Sequence, residues 1–178
     1  FLVILGVVTA LLASARGGGS SPVTRPQGAR QWLGLTLVGV LGGAVAFVLF
    51  FEGLAQASSA NAAFLHKTLL IWVALLAWPS LRERIGPVHV VAIGLLLGGQ
   101  ALLQGGIGEM DVGNGEAMIL GATLLWSIEV IVAKRLLGSL SSLTVGTTRM
   151  ALGCVVLLAY LAVTGGIDDL LAVPASQW

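Results

Sequence analysis

Charge is what this chain has least of. Only 10% of its residues are Asp, Glu, Lys or Arg, against about a quarter in a soluble domain. Cysteine is down to one, Cys154, set in an apolar run. That excludes an internal disulfide and cysteine metal-ligand spacing, and leaves a small apolar filler. The motifs of common enzyme chemistries are missing too. There is no H-E-x-x-H, no C-x-x-C and no nucleophile elbow. RGGGSS (16–21) lacks the lysine and the strand-to-helix setting of a phosphate loop. Asp168-Asp169 stands alone on a loop, where an acidic pair is a topology determinant or solvated surface rather than a metal site. The expectation is no enzyme, no metal and no cofactor. The net charge of +1 carries no sign of nucleic acid as a partner.

What the chain has instead is apolar length: 57% hydrophobic residues and a mean hydropathy of +0.99. Six apolar stretches stand out, at 1–15, 33–54, 57–79, 87–105, 115–137 and 142–165. Each after the first reaches the roughly 20 residues that cross a bilayer. The first, FLVILGVVTALLASA, is short for a span, follows no initiator Met, and lacks the basic start and clear cleavage site of a signal peptide. It is expected to be the end of a helix that begins outside this sequence, in a piece of a longer protein.

The few charges are placed with order. Arg16, Arg25 and Arg30 follow the first stretch, Arg82 and Arg84 the third, and Lys134 and Arg135 the fifth. The alternate gaps carry Glu52, then Glu109, Asp111 and Glu116, then Asp168 and Asp169, with no cation among them. Cytoplasmic loops collect Lys and Arg. Loops 16–31, 80–86 and 138–141 are therefore expected inside, and the protein is expected to be multi-pass in a prokaryotic inner (plasma) membrane. The fold class is all-α, a polytopic bundle of membrane helices whose first partner is the lipid bilayer.

A weak repeat adds direction. Aligning Gln31-Trp32 with Gln177-Trp178 lays 1–15 over 147–161, yet one is followed by a basic loop and the other by an acidic one. Equivalent helices then point in opposite directions, as in the inverted-topology repeats of secondary transporters. A repeat unit of five helices produces that inversion, because an odd number flips the next copy.

The segment ANAAFLHKTLLIWVALLAWPSLRERIGPVHVVAIGLLLGGQALL (60–103) resembles the end of an EamA domain of the drug/metabolite transporter superfamily. It shows a small-residue-rich helix from Ala60 to Trp78, a closing Glu83, and a helix with spaced Gly94 and Gly98. GEAMILGATLLWSIEVIVAKRLL (115–137), followed by a helix bearing Arg149, is similar to the opening of a second EamA copy. KTLLIW (67–72) stands where many members carry a mid-helix proline. The resemblance implies helices two to seven of ten and the approach to the eighth. Residues 1–105 would be the rest of the first repeat, and 106–178 the start of the second. It also implies export of a small organic metabolite by alternating access, with protons as a possible coupling ion. The reading from another class is an intramembrane enzyme acting on lipid or a lipid-linked substrate.

Inside a membrane the ionisable residues are informative, since each charge at a helix centre costs at least ~2.5–3.5 kcal/mol and needs a partner or a wet cavity. Lys67 lies near the middle of 57–79 and reads as a cation on the substrate path or as half of a structural pair. Asn61 and Thr68 can share its broad face. His66, about 100° away around a helix, reads first as a packing histidine. Glu129 and Arg149 lie ten residues either side of the turn near 139, so antiparallel helices bring them to one depth. They read as an ion pair, or as a gate that breaks as two bundles rock. Gly39 with Gly43, and Gly94 with Gly98, are small-xxx-small spacings for helix packing, with a homodimer interface as the alternative. Trp32 and Trp78 suit the interfacial belt, and Trp72 and Trp126 suit packing within spans.

Overall fold

A computed structural model describes residues 23–82, 86–103 and 113–166. The apolar stretch 1–15, the acids Glu109, Asp111, Asp168 and Asp169, and the Gln177-Trp178 half of the repeat lie outside the described residues. Among the described residues every regular element is helical. Five rods follow one another: α1 (Ala29–Gln56), α2 (Ser59–Leu81), α3 (Pro87–Leu103), α4 (Asn114–Leu136) and α5 (Ser142–Thr164).

Four of these, α1, α2, α4 and α5, are long and apolar enough to cross a membrane. α3 is described over 17 residues. The boundaries sit where local chemistry puts them. Ser58 and Ser141 precede α2 and α5, and each hydroxyl accepts from the backbone N–H three residues on, Asn61 and Thr144, at 3.2 Å. Pro87 opens α3, a position that needs no backbone N–H. Gly165 ends α5 with φ 78°, the left-handed cap that glycine adopts without strain.

Two rods are not uniform. The middle of α1, Val38–Val45, is a π-helix, with α-helix from Ala29 to Leu37 before it and from Ala46 to Gln56 after it. In α2 the register slips at Thr68, between Ser59–Lys67 and Leu69–Leu81. The Thr68 N–H reaches the Leu65 carbonyl at 3.1 Å and its hydroxyl reaches the same oxygen at 2.6 Å. The helix therefore tightens at KTLLIW without a proline.

α4 is the hub, packed against α1, α2 and the π segment. Its apolar burial falls at three levels. At one end Leu35, Val38, Leu136, Leu140 and Val145 form a cluster; in the middle Ala46, Ala122 and Trp126; at the other end Ala62, Leu65 and Ile119. Glycines set the crossings. Gly53 and Gly115 bring α1 and α4 together, where a Cβ on Gly115 would lie 2.8 Å from the Gly53 carbonyl oxygen. Gly43 and Gly153 do the same for α1 and α5.

α3 stands apart. It packs lightly against α2, and Val88, Leu95 and Leu102 are largely exposed. An apolar helix this exposed among the described residues is suited to hydrocarbon rather than to water.

Described residues in or beside the three basic loops meet at one end of the bundle. Gln31 Nε2 donates to Ser139 Oγ at 3.0 Å, Arg135 Nη2 to the Ser80 carbonyl at 2.7 Å, and Ser141 N to Thr24 Oγ1 at 3.2 Å.

Candidate functional site

One carbonyl of the π segment takes two side-chain donors. Gly42 sits inside Val38–Val45, and its oxygen accepts from Trp126 Nε1 at 3.0 Å and from Arg149 Nη2 at 3.4 Å. In a π turn the backbone bond closes five residues on rather than four, and a carbonyl's second lone pair is open to further donors. Gly42 also has to be glycine, because a Cβ there would run into the Glu129 carboxylate.

Around this carbonyl the structure brings Glu129 and Arg149 together. Arg149 Nε donates to Glu129 Oε1, and Arg149 Nη2 donates to Oε2 at 3.2 Å. This is the two-pronged guanidinium–carboxylate geometry that gives both strength and direction. The Glu129 side chain is 9% exposed and that of Arg149 23%, so the acid is sealed while the base keeps an open side. Phe47 of α1 lies beneath the guanidinium, 5.9 Å from its ring centre to Arg149 Cζ. The Phe47 ring in turn meets Trp126 edge-on at 5.1 Å. One polar node therefore ties α1, α4 and α5 together at a depth otherwise made of hydrocarbon.

On the open side of Arg149 lies a cavity of about 360 Å³ between α1 and α5. Phe47, Met150, Cys154, Leu157 and Leu161 line it, and Arg149 is the one charged group among its described lining residues.

The residues of α2 are arranged differently. Asn61 Nδ2 donates to Glu116 Oε1 at 3.2 Å, while Glu116 Oε2 accepts from the Gly113 N–H at 3.1 Å. Glu116 is thus not only an acid between two spans: it is buried in the first turn of α4 and joins α2 to it. The Thr68 hydroxyl is turned back on the Leu65 carbonyl. Lys67 is exposed, and among the described residues its side chain has no hydrogen bond or ion pair. His66 packs its ring 5.3 Å from both Phe50 and Trp126, and its Nδ1 is buried with no partner among the described residues. Trp72 Nε1 is in the same position. The side chains of Asn61, His66, Lys67 and Thr68 therefore form no hydrogen-bonded cluster of their own.

The packing glycines divide. Gly39 lies against Leu152, and a Cβ on Gly43 would stand 2.8 Å from the Arg149 carbonyl oxygen. Gly94 and Gly98 have open space around them. The spacing of α1 glycines did not distinguish Gly42, which supports the ion pair, from Gly43, which supports the crossing. Nor did it find Gly53, Gly115 or Gly153, whose partners lie far away in sequence. Trp126 was legible as a buried tryptophan, but its bond to a π-helical carbonyl has no local signal.

No three His, Cys, Asp or Glu side chains come together as metal ligands among the described residues. No curated protein and no solved structure matches the chain. Residues 1–104 and 113–178 match the EamA-like transporter family. Nearly the whole length is covered, and the described residues supply the membrane-length apolar helices that such a transporter requires. The chain belongs to the EamA-like transporter family.

Proposed function

We propose that the protein works as a secondary transporter that exports small organic metabolites across the prokaryotic inner membrane. Two inverted five-helix units, meeting between 105 and 106, rock around a midplane site in alternating access. Nothing in the sequence has the pattern of an ATP site, so a proton or exchange gradient drives the cycle. Loops 16–31, 80–86 and 138–141 face the cytoplasm; their meeting at one end of the bundle, with the basic residues of the sequence, supports that orientation. Lys67, Asn61 and Thr68 border the substrate path, and Glu129 with Arg149 forms a latch.

The observation that carries this reading is the Glu129–Arg149 pair, anchored on the Gly42 carbonyl between three helices. A charge pair is costly in hydrocarbon and packs no better than apolar residues of equal size. Its use is to hold one arrangement of α1, α4 and α5 and to release it when a partner is lost. A π-helical segment in the same place supplies backbone that can change register.

The test is reconstitution of the full-length gene product in proteoliposomes, with amino acids, nucleosides and small cations offered with and without a pH gradient. Wild type is expected to show gradient-dependent uptake, lost in Lys67→Leu. Uptake that survives Lys67→Leu removes Lys67 from the path. Absence of uptake for every compound counts against the transporter reading and favours the lipid-modifying alternative.

A further inference from the structure

We propose that the cavity between α1 and α5 binds a slender, uncharged apolar molecule through one carbonyl-type acceptor, which hydrogen-bonds to Arg149. The inference concerns binding and goes beyond the transport cycle above.

The first argument is a count of donors. A guanidinium carries five N–H groups and no acceptor. In Arg149 the Nε–H and one Nη2–H are held by Glu129, and the other Nη2–H is aimed at the Gly42 carbonyl. Among the described residues the two N–H groups of Nη1 have no acceptor. They belong to the partly exposed side chain that lines the cavity, whose other walls are Phe47 and aliphatic or sulfur-bearing groups. These donors are not sealed inside the protein, and beside such apolar walls a ligand oxygen supplies the acceptor they lack.

The second argument is charge. Glu129 already neutralises Arg149, so the node as a whole carries no net charge. A ligand carboxylate at Nη1 would face the Glu129 carboxylate across the same guanidinium in a poorly screened environment. A ligand cation would meet the guanidinium itself, with the Glu129 oxygens turned away and nearly sealed. A neutral acceptor such as an ester, amide or ketone satisfies the donors without either repulsion.

The third argument is shape and depth. The volume, about 360 Å³, falls at the small end of ligand pockets, which run from roughly 300 to 1,000 Å³. Its lining on α5 runs from Arg149 to Leu161, a length of about 18 Å at 1.5 Å per residue. The space is elongated and half open, a shaft with its polar group at one end. Arg149 lies about 10 Å along α5 from Ser142. The ester carbonyls of a phospholipid, held at the membrane surface, do not reach it, so the occupant is a free molecule rather than an intact lipid.

The experiment is photolabelling of the full-length gene product in nanodiscs with a diazirine-bearing methyl decanoate. Methyl decanoate, decane and decanoate are the competitors, and the adduct is mapped by peptide mass. The expected adduct lies within 150–161, and methyl decanoate competes roughly tenfold better than decane, the scale of one hydrogen bond to a charged donor. Decanoate competes no better than decane. Leu158→Trp, which fills the shaft from a half-exposed position, removes the adduct, while Leu158→Ala keeps it and shows that the fold survives change there. Equal competition by decane and the ester overturns the proposal, because the shaft is then only a crevice for hydrocarbon. An adduct elsewhere, or none, overturns it too, because another part of the chain or a second copy then fills the space.

Discussion

Two sets of polar groups lie within the apolar helices, and they are handled in opposite ways. At the junction of α1, α4 and α5 most groups engage one another: Glu129 and Arg149 hold each other, the Gly42 carbonyl takes Trp126 and Arg149, and Phe47 covers the cation, with only the Arg149 Nη1 N–H groups left over among the described residues. On α2, Lys67 is exposed, His66 Nδ1 and Trp72 Nε1 are buried without partners among the described residues, and Thr68 bonds only to its own helix. The difference lies in how many hydrogen-bonding groups are already taken. The junction is built to hold a single arrangement, whereas α2 keeps polar groups unspent at the cost of stability. In the proposed cycle the junction is the latch, and α2 offers groups that a substrate can satisfy.

The sharpest way to break the comparison is to take one partner from the node. Arg149→Gln leaves Glu129 buried without its cation, and Glu129→Gln leaves Arg149 without its anion. Each is expected to cost about 3 kcal/mol, at the low end for a broken buried pair because Arg149 keeps 23% of its side chain exposed. The double variant should be more stable than either single one, since no lone charge remains. Thermal unfolding in detergent, compared across the three variants and wild type, gives the coupling directly. A loss in the double variant equal to the sum of the two single losses would mean that the pair is not a unit.

Next in size are the glycines. Gly42→Ala pushes a methyl group into the Glu129 carboxylate, and Gly153→Ala pushes one against the Gly43 backbone. Overpacking of this kind costs roughly 1–3 kcal/mol. Gly94→Ala, by contrast, meets open space in a helix interior and should be neutral or stabilising by up to about 1 kcal/mol. The same melting experiment separates the two classes. A large loss at Gly94 would mean that α3 has a packing partner beyond the described residues.

These residues also show how far the sequence could be read. The spans were legible because length and apolar content decide them; α1, α2, α4 and α5 begin and end within a few residues of the stretches that hydropathy marks. The Glu129–Arg149 contact follows from counting outward from one turn between antiparallel helices. What could not be read needs a partner distant in sequence or a change of backbone register. Asn61 finds Glu116 across two intervening helix ends. Gly115 meets Gly53 for lack of a side chain on either. The π-helix of Val38–Val45 leaves no mark, since VGVLGGAV would suit an ordinary α-helix equally well in composition. Gly39, Gly43, Gly94 and Gly98 share one spacing, yet only neighbours in space decide which of them a helix crosses.

A smaller effect separates the node's geometry from its charge. Trp126→Phe removes the Nε1–H that holds the Gly42 carbonyl and keeps most of the ring that packs on Phe47 and Phe50. The loss should be about 1 kcal/mol, one hydrogen bond's net worth. It should also loosen the π segment, seen as faster amide exchange over 38–45. Unchanged exchange there would show that Arg149 alone is enough to aim that carbonyl.

The smallest effect belongs to α2 and tests the other half of the comparison. His66 contributes ring contacts with Phe50 and Trp126, while its Nδ1 is buried without a partner among the described residues. His66→Phe keeps an aromatic ring in the cluster and removes that unsatisfied atom, so stability should hold or rise slightly. Lys67→Leu takes a charge from a mid-span position where it has no partner among the described residues, so stability should hold or rise. Both variants are expected to fold like the wild type, so any loss of transport in them reports on the substrate path itself. If Lys67→Leu instead melts far below the wild type, Lys67 is structural and paired beyond the described residues, and α2 holds its charge as tightly as the node holds Arg149.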